Sequence, residues 1–164
     1  MMRVLKILSA LFLLCAVLAS CQKEFEDPND PSTSTASYFK ANINGVQFVA
    51  VMSGAAIGTD SVISLAGKSD DGQQIIFSVL DSGAHVYSLD INSISNIGIC
   101  IGVTGLPFTS NGGATSEESG GNLAIVSINT VNRVMSGTFN FKAFRQSDGT
   151  QKIINDGVFN NISY

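Results

Sequence analysis

The chain contains no tryptophan and only three tyrosines, one histidine, three cysteines and three prolines in its 164 residues. Sugar-binding platforms usually expose flat aromatic side chains, and Tyr38, Tyr87 and Tyr164 are a thin supply for one. Basic charge is scarce as well, with 9 Lys and Arg against 13 Asp and Glu. Nucleic acid requires a basic stripe to neutralise phosphates, so no partner of that class is expected. No apolar run reaches the roughly 20 residues that a membrane-spanning helix needs. Beyond residue 20 no segment keeps a helical stripe for three turns. Also missing are a glycine-rich loop leading into a helix, which would cradle phosphate, and the Gly-x-Ser-x-Gly turn that presents a nucleophilic serine.

What is present begins at the amino terminus. Arg3 and Lys6 precede a short apolar stretch, Ile7 to Leu18, in the pattern of a secretory signal peptide over residues 1 to 20. The stretch closes on Leu18-Ala19-Ser20-Cys21, which resembles the bacterial lipoprotein cleavage site, the lipobox. Ala19 and Ser20 are small enough for a peptidase groove, and the Cys21 thiol is the nucleophile that takes a diacylglyceryl group. The alternative is ordinary secretion with an incidental cysteine. The resemblance implies two acyl chains on sulfur and usually one on the new amino terminus. At about 0.8 kcal/mol per buried methylene, one chain holds marginally, whereas two or three attach stably. The expected partner is therefore a membrane, reached through lipidation of Cys21.

Gln22-Lys23-Glu24-Phe25-Glu26-Asp27 follows directly. This string, interrupted by Phe25, resembles the surface-export signal of Bacteroidetes lipoproteins, in which Lys or Gln precedes acidic residues. Position 22 is not the aspartate that retains many lipoproteins in the inner membrane. The expected location is the outer membrane, facing the cell surface, with the periplasmic face as the alternative.

Removal of residues 1 to 20 leaves 144 residues with 7 basic and 13 acidic side chains, a formal charge of −6. That length suits one domain with a real core. Asp27 to Ser37 is almost devoid of apolar side chains, so residues 21–37 are expected to be a lipidated cysteine followed by a flexible tether, with a single β-domain over 38–164. There the hydrophobic period is two: Phe39, Ala41 and Ile43 alternate with Lys40 and Asn42, and Phe139, Phe141 and Ala143 alternate with Asn140 and Lys142. Further strands are expected over Val46 to Met52, Val62 to Ala66, Gln74 to Leu80, Val86 to Ile91, Ile97 to Val103, Asn122 to Ile128, Thr150 to Asn155 and Val158 to Tyr164. Asn44-Gly45 has the composition of a two-residue hairpin turn, and Asp71-Gly72, Asp148-Gly149 and Asp156-Gly157 are similar pairs. The fold expected from these signals is all-β, an antiparallel two-layer sandwich of about nine or ten strands. A closed antiparallel barrel is the alternative.

Few side chains are candidates for chemistry. Cys15 leaves with the signal peptide and Cys21 takes lipid, so Cys100 is the one remaining thiol and no intramolecular disulfide is expected. It alternates with isoleucines in Ile97 to Val103, which marks a small core residue, and a nucleophile would want His85, the single histidine, as its partner. One thiol and one imidazole make no zinc site. Glu117 and Glu118 are adjacent and would face opposite sides of a strand, unlike a catalytic pair. They lie in Thr109 to Gly121, a Ser/Gly-rich stretch expected to be a mobile loop. Asp70 and Asp71 could be imagined around calcium, but turn formation is the better account. No catalytic residue, cofactor or metal ligand is expected.

Tyr38 to Phe48, Val134 to Ala143 and Asp156 to Ile162 are similar to an uncharacterised family of small Bacteroidetes lipoproteins. The resemblance implies location and fold and transfers no activity. The expected function is a lipid-anchored, non-enzymatic binding or envelope-interaction module whose protein or glycan partner the sequence does not identify. A carrier of a small apolar ligand in a barrel cavity is the runner-up, and a hydrolase ranks below both.

Overall fold

The computed structural model describes residues 36–164 apart from residue 82, so the signal peptide, Cys21 and nearly all of the expected tether lie outside the described residues. Ten strands follow one another: β1 (Tyr38–Ile43), β2 (Val46–Ile57), β3 (Val62–Ser69), β4 (Gln74–Leu80), β5 (Val86–Ser88), β6 (Ile97–Ile101), β7 (Pro107–Thr109), β8 (Gly120–Asn129), β9 (Val134–Arg145) and β10 (Thr150–Ser163). All their pairings are antiparallel. Alternation in sequence becomes alternation in burial, with Phe39, Ala41 and Ile43 of β1 facing the core. Asn44 and Gly45 join β1 to β2 with φ of 51° and 80°, the paired positive angles that match strand twist in a two-residue hairpin.

The sheet closes into a barrel, which corrects the expected sandwich in favour of the stated alternative. The ring runs β10-β1-β2-β3-β4-β6-β7-β9 and returns to β10, eight strands in all. Closure depends on β10, which pairs with β9 on one edge and with β1 on the other, so the last strand joins the first. The weakest link is β7 to β9, one residue pair between Thr109 and Phe144. Val134 to Asn129 and Lys142 to Gly120 mark the limits of the β9 edge taken by β8, and β8 carries β5 on its other side. A period of two reports one buried face, which sandwiches and barrels share; the partner of the last strand decides between them.

Strand boundaries differ from the sequence reading in informative places. Asp156-Gly157 does not turn the chain but bulges a single 14-residue strand, shifting the β9 register between Ile154 and Gly157. Asp156 has φ of 50°, a conformation that turns and bulges both use. The three-residue β7, opened by Pro107, was not expected, and β5 and β6 stop short of the expected limits at Ser88 and Ile101.

Closure does not leave a hollow lattice at the aromatic centre of the core. Phe139 stands 5.1 Å from Phe39 and 5.0 Å from Phe77, centroid to centroid, and Phe77 meets Phe141 edge-on at 5.4 Å. Phe48 and Phe159 pack against Phe39 at 6.1 Å and 6.4 Å. Such offset and edge-to-face pairs stabilise by about 0.5–1.5 kcal/mol beyond area burial. The outer face mixes Lys40, Asn42, Lys68 and Lys142 with Ile76 and Ile99. An apolar interior is the reverse of the polar lumen of barrels that cross membranes.

Antiparallel connectivity sorts the loops between two ends. The β1–β2, β3–β4, β6–β7 and β9–β10 connections share one end, whereas the β2–β3 and β8–β9 turns share the other with Ala36 and Tyr164.

Candidate binding cleft

The side chains singled out for chemistry are kept apart. Cys100 is fully buried between Ile75 and Phe108 in the neighbouring ladders. Burial pushes its thiol up to about 11, against a smaller opposing effect of the Lys152 charge. It is thus protonated at neutral pH. His85 stacks on Tyr87 with ring centroids 4.0 Å apart and places Nε2 3.8 Å from Asp81 Oδ2. The two do not form a pair. Among the described residues no group of three or more His, Cys, Asp or Glu is placed to hold a metal ion.

Segment 110–119, expected to be a mobile loop, is cross-linked by hydrogen bonds to itself and to β9 and β10. Glu118 Oε2 accepts the Ala114 amide at 2.6 Å, and buried Ser119 accepts the Gly113 amide at 3.0 Å. From outside the loop, Lys142 Nζ and Gln151 Nε2 both donate to the Glu117 carbonyl at 3.1 Å. Glycines and serines made this stretch look unstructured, while its cross-links come from residues distant in sequence. Asp71 and Asp148 are turn formers as expected. Asp71 accepts the Ser69 hydroxyl and the Gln73 side-chain and backbone N–H groups, which lower its pKa.

A different feature appears at the end shared by Ala36 and Tyr164. Asn129 Oδ1 accepts the amides of Val131 and Asn132, at 3.0 and 2.9 Å, and folds the β8–β9 turn. Two bulges then flank the same stretch of β9, one in β8 between Ile125 and Ser127 and one in β10 between Phe159 and Ile162. Bulges re-aim side chains and locally sharpen twist. Here the β10 bulge sets Asn160 and Asn161 against Ser136. The Ser136 hydroxyl donates to Asn160 Oδ1 at 3.0 Å and accepts the Asn161 amide at 2.9 Å, while Asn160 Nδ2 donates to the Ala36 carbonyl at 2.6 Å. Asn160 is 0% exposed and Ser136 3%. This locked polar layer underlies an open cleft of about 540 Å³.

Ser127, Asn129, Thr130, Asn132, Ser136 and Asn161 line the cleft with Val134 and Ile128, the latter packed against the core. No Asp, Glu, Lys or Arg is among the lining side chains. At the neighbouring turn, Arg133 donates from Nε to the Tyr164 carbonyl at 3.0 Å and holds its guanidinium 5.6 Å from the Tyr164 ring centroid. Sequence reasoning missed this constellation. The polar run Ser127 to Asn132 and the pair Asn160-Asn161 were visible, but nothing local announces that two bulges bring them together.

A family model described as a domain of unknown function, DUF6252, matches residues 35–163. No curated protein and no solved structure matches the chain.

Proposed function

We propose, for a chain that belongs to the DUF6252 family of domains of unknown function, that it is a lipid-anchored cell-envelope protein whose barrel is a non-enzymatic binding module. The anchoring reading rests on the apolar stretch Ile7 to Leu18 ending at Leu18-Ala19-Ser20-Cys21. The binding-module reading is carried by the filled centre of the barrel, where Phe39, Phe77, Phe139, Phe141 and Phe159 occupy the space in which a carrier would hold its cargo. Recognition is thereby assigned to the outside. The hydrolase reading is disfavoured by a buried, protonated Cys100 that does not meet His85. Outer-membrane placement facing the cell surface follows from Gln22 to Asp27, and the periplasmic face is the second orientation.

The test is the mass of the mature amino terminus and the fractionation of Cys21→Ser. A lipid-modified cysteine on the parent, with the variant unprocessed or released from membranes, is the expected outcome. An amino terminus without lipid overturns the anchoring proposal.

A further inference from the structure

We propose that the cleft between the β8–β9 turn and the β10 bulge binds a neutral, polyhydroxylated ligand, a glycan chain. This deepens the binding-module reading and rests on it. A cleft of about 540 Å³ lies within the range of about 300–1,000 Å³ common for small-molecule sites. Its chemistry selects the ligand class. Ser127 Oγ, Thr130 Oγ1, the Asn132 side-chain amide and the Asn129 Nδ2 group bond to no other described residue and belong to exposed residues that line the cleft.

Hydroxyls and amides each combine donor and acceptor capacity. A sugar hydroxyl both donates and accepts, so a set of such groups matches vicinal hydroxyls better than a carboxylate or an ammonium group, each of which is satisfied by one kind of partner. Val134 offers aliphatic surface to the C–H face of a sugar ring. Anionic polymers are disfavoured by the absence of Lys and Arg from the lining and by the net negative charge of the chain. Aromatic platforms are one way to bind sugars, and the chain has few side chains for one. This cleft relies on amides and hydroxyls instead.

The site is also preorganised. Buried Ser136 and Asn160 fix the β10 bulge beneath it, which lowers the ordering cost of binding on that side. The same Asn160 amide grips Ala36, which puts the cleft beside the root of the segment leading back to Cys21.

The experiment is isothermal titration of the purified full mature protein with maltohexaose, mannohexaose and chitohexaose, each to 10 mM, with polygalacturonate as an anionic comparison. At least one neutral oligosaccharide is expected to bind saturably. Ser127→Ala/Asn132→Ala is expected to weaken that binding at least tenfold without moving the thermal midpoint, whereas Gln47→Ala, outside the cleft, leaves it unchanged. Lack of binding by all three neutral sugars, tighter binding of polygalacturonate, or binding indifferent to the double substitution overturns the proposal. The titration is repeated on Cys21→Ser protein. The variant is expected to bind as the parent does; a parent protein that binds sugar but carries no lipid refutes the anchor alone, and a lipidated parent that binds no sugar refutes the cleft alone.

Discussion

The Phe139 ring occupies the position that a side chain on Gly157 would need: a Cβ there would stand 2.3 Å from the ring and 2.5 Å from the Phe139 carbonyl oxygen. The bulge in β10 and the central aromatic of the barrel are thus one device, since the strand approaches the ring only where it carries no side chain. Gly157→Ala is expected to lower unfolding free energy by about 1–3 kcal/mol, the usual range for overpacking. The penalty should shrink when Phe139 is first replaced by leucine. Urea denaturation of the four proteins in a double-mutant cycle checks this, and strict additivity would contradict the coupling.

Phe141 tests whether the barrel is filled. It is buried, paired with Ile154 across the β9–β10 ladder and edge-on to Phe77. Phe141→Ala is expected to cost about 3–5 kcal/mol, a large part of the roughly 5–15 kcal/mol available to a domain. The parent protein is expected to show no saturable uptake of an apolar fluorescent probe. A small loss of stability together with saturable uptake would revive the carrier reading.

The β9–β10 turn makes stability sensitive to acid. Arg145 donates from Nε to Asp148 Oδ1 at 3.0 Å and from Nη2 to Oδ2, and Thr150 Oγ1 adds a bond of 2.7 Å. The Arg145 bonds first, and those of Thr150 next, hold the Asp148 carboxyl well below the ordinary carboxylate range. A depressed folded-state pKa contributes stability that is fully present above the unfolded value, about 3.9, and lost as pH falls through the folded value. Asp148→Asn should therefore melt below the parent at pH 7, with the gap closing toward pH 2 and narrowing in high salt. Paired thermal melts across that range check it. A gap that widens in acid would exclude the assignment.

The face of each strand was legible because polar residues such as Lys40 and Asn140 alternate with residues that the core buries. Asn44-Gly45 was legible as a turn because its positive φ angles are a property of two adjacent residues. Asp156-Gly157 carried the same local signal and produced a bulge, since the pairing of Gly157 with Phe139 is set by a strand 18 residues away. Closure was hidden for a similar reason: β10 lies between β9 and β1, and the β1 contact links Phe159 to Phe39 across most of the domain. Of the cleft, the residue types could be read but not their meeting. Ser136 reaches Asn160 only because register slips on both sides of β9.

The sorting of loops between the two ends gives the barrel a direction. Ala36 is tied to Asn160, and the Tyr164 amide bonds the Arg133 carbonyl at 3.1 Å, so both ends of the described chain are secured at the same pole. A carboxy-terminal fusion is therefore attached at the pole where Ala36 enters the barrel. The turns at Gly45 and Gly149 belong to the opposite pole, and Gly45 has open space around its Cα. An epitope inserted there lies at the pole away from Ala36, whereas the same epitope after Tyr164 sits beside Asn129 and Arg133, next to the cleft.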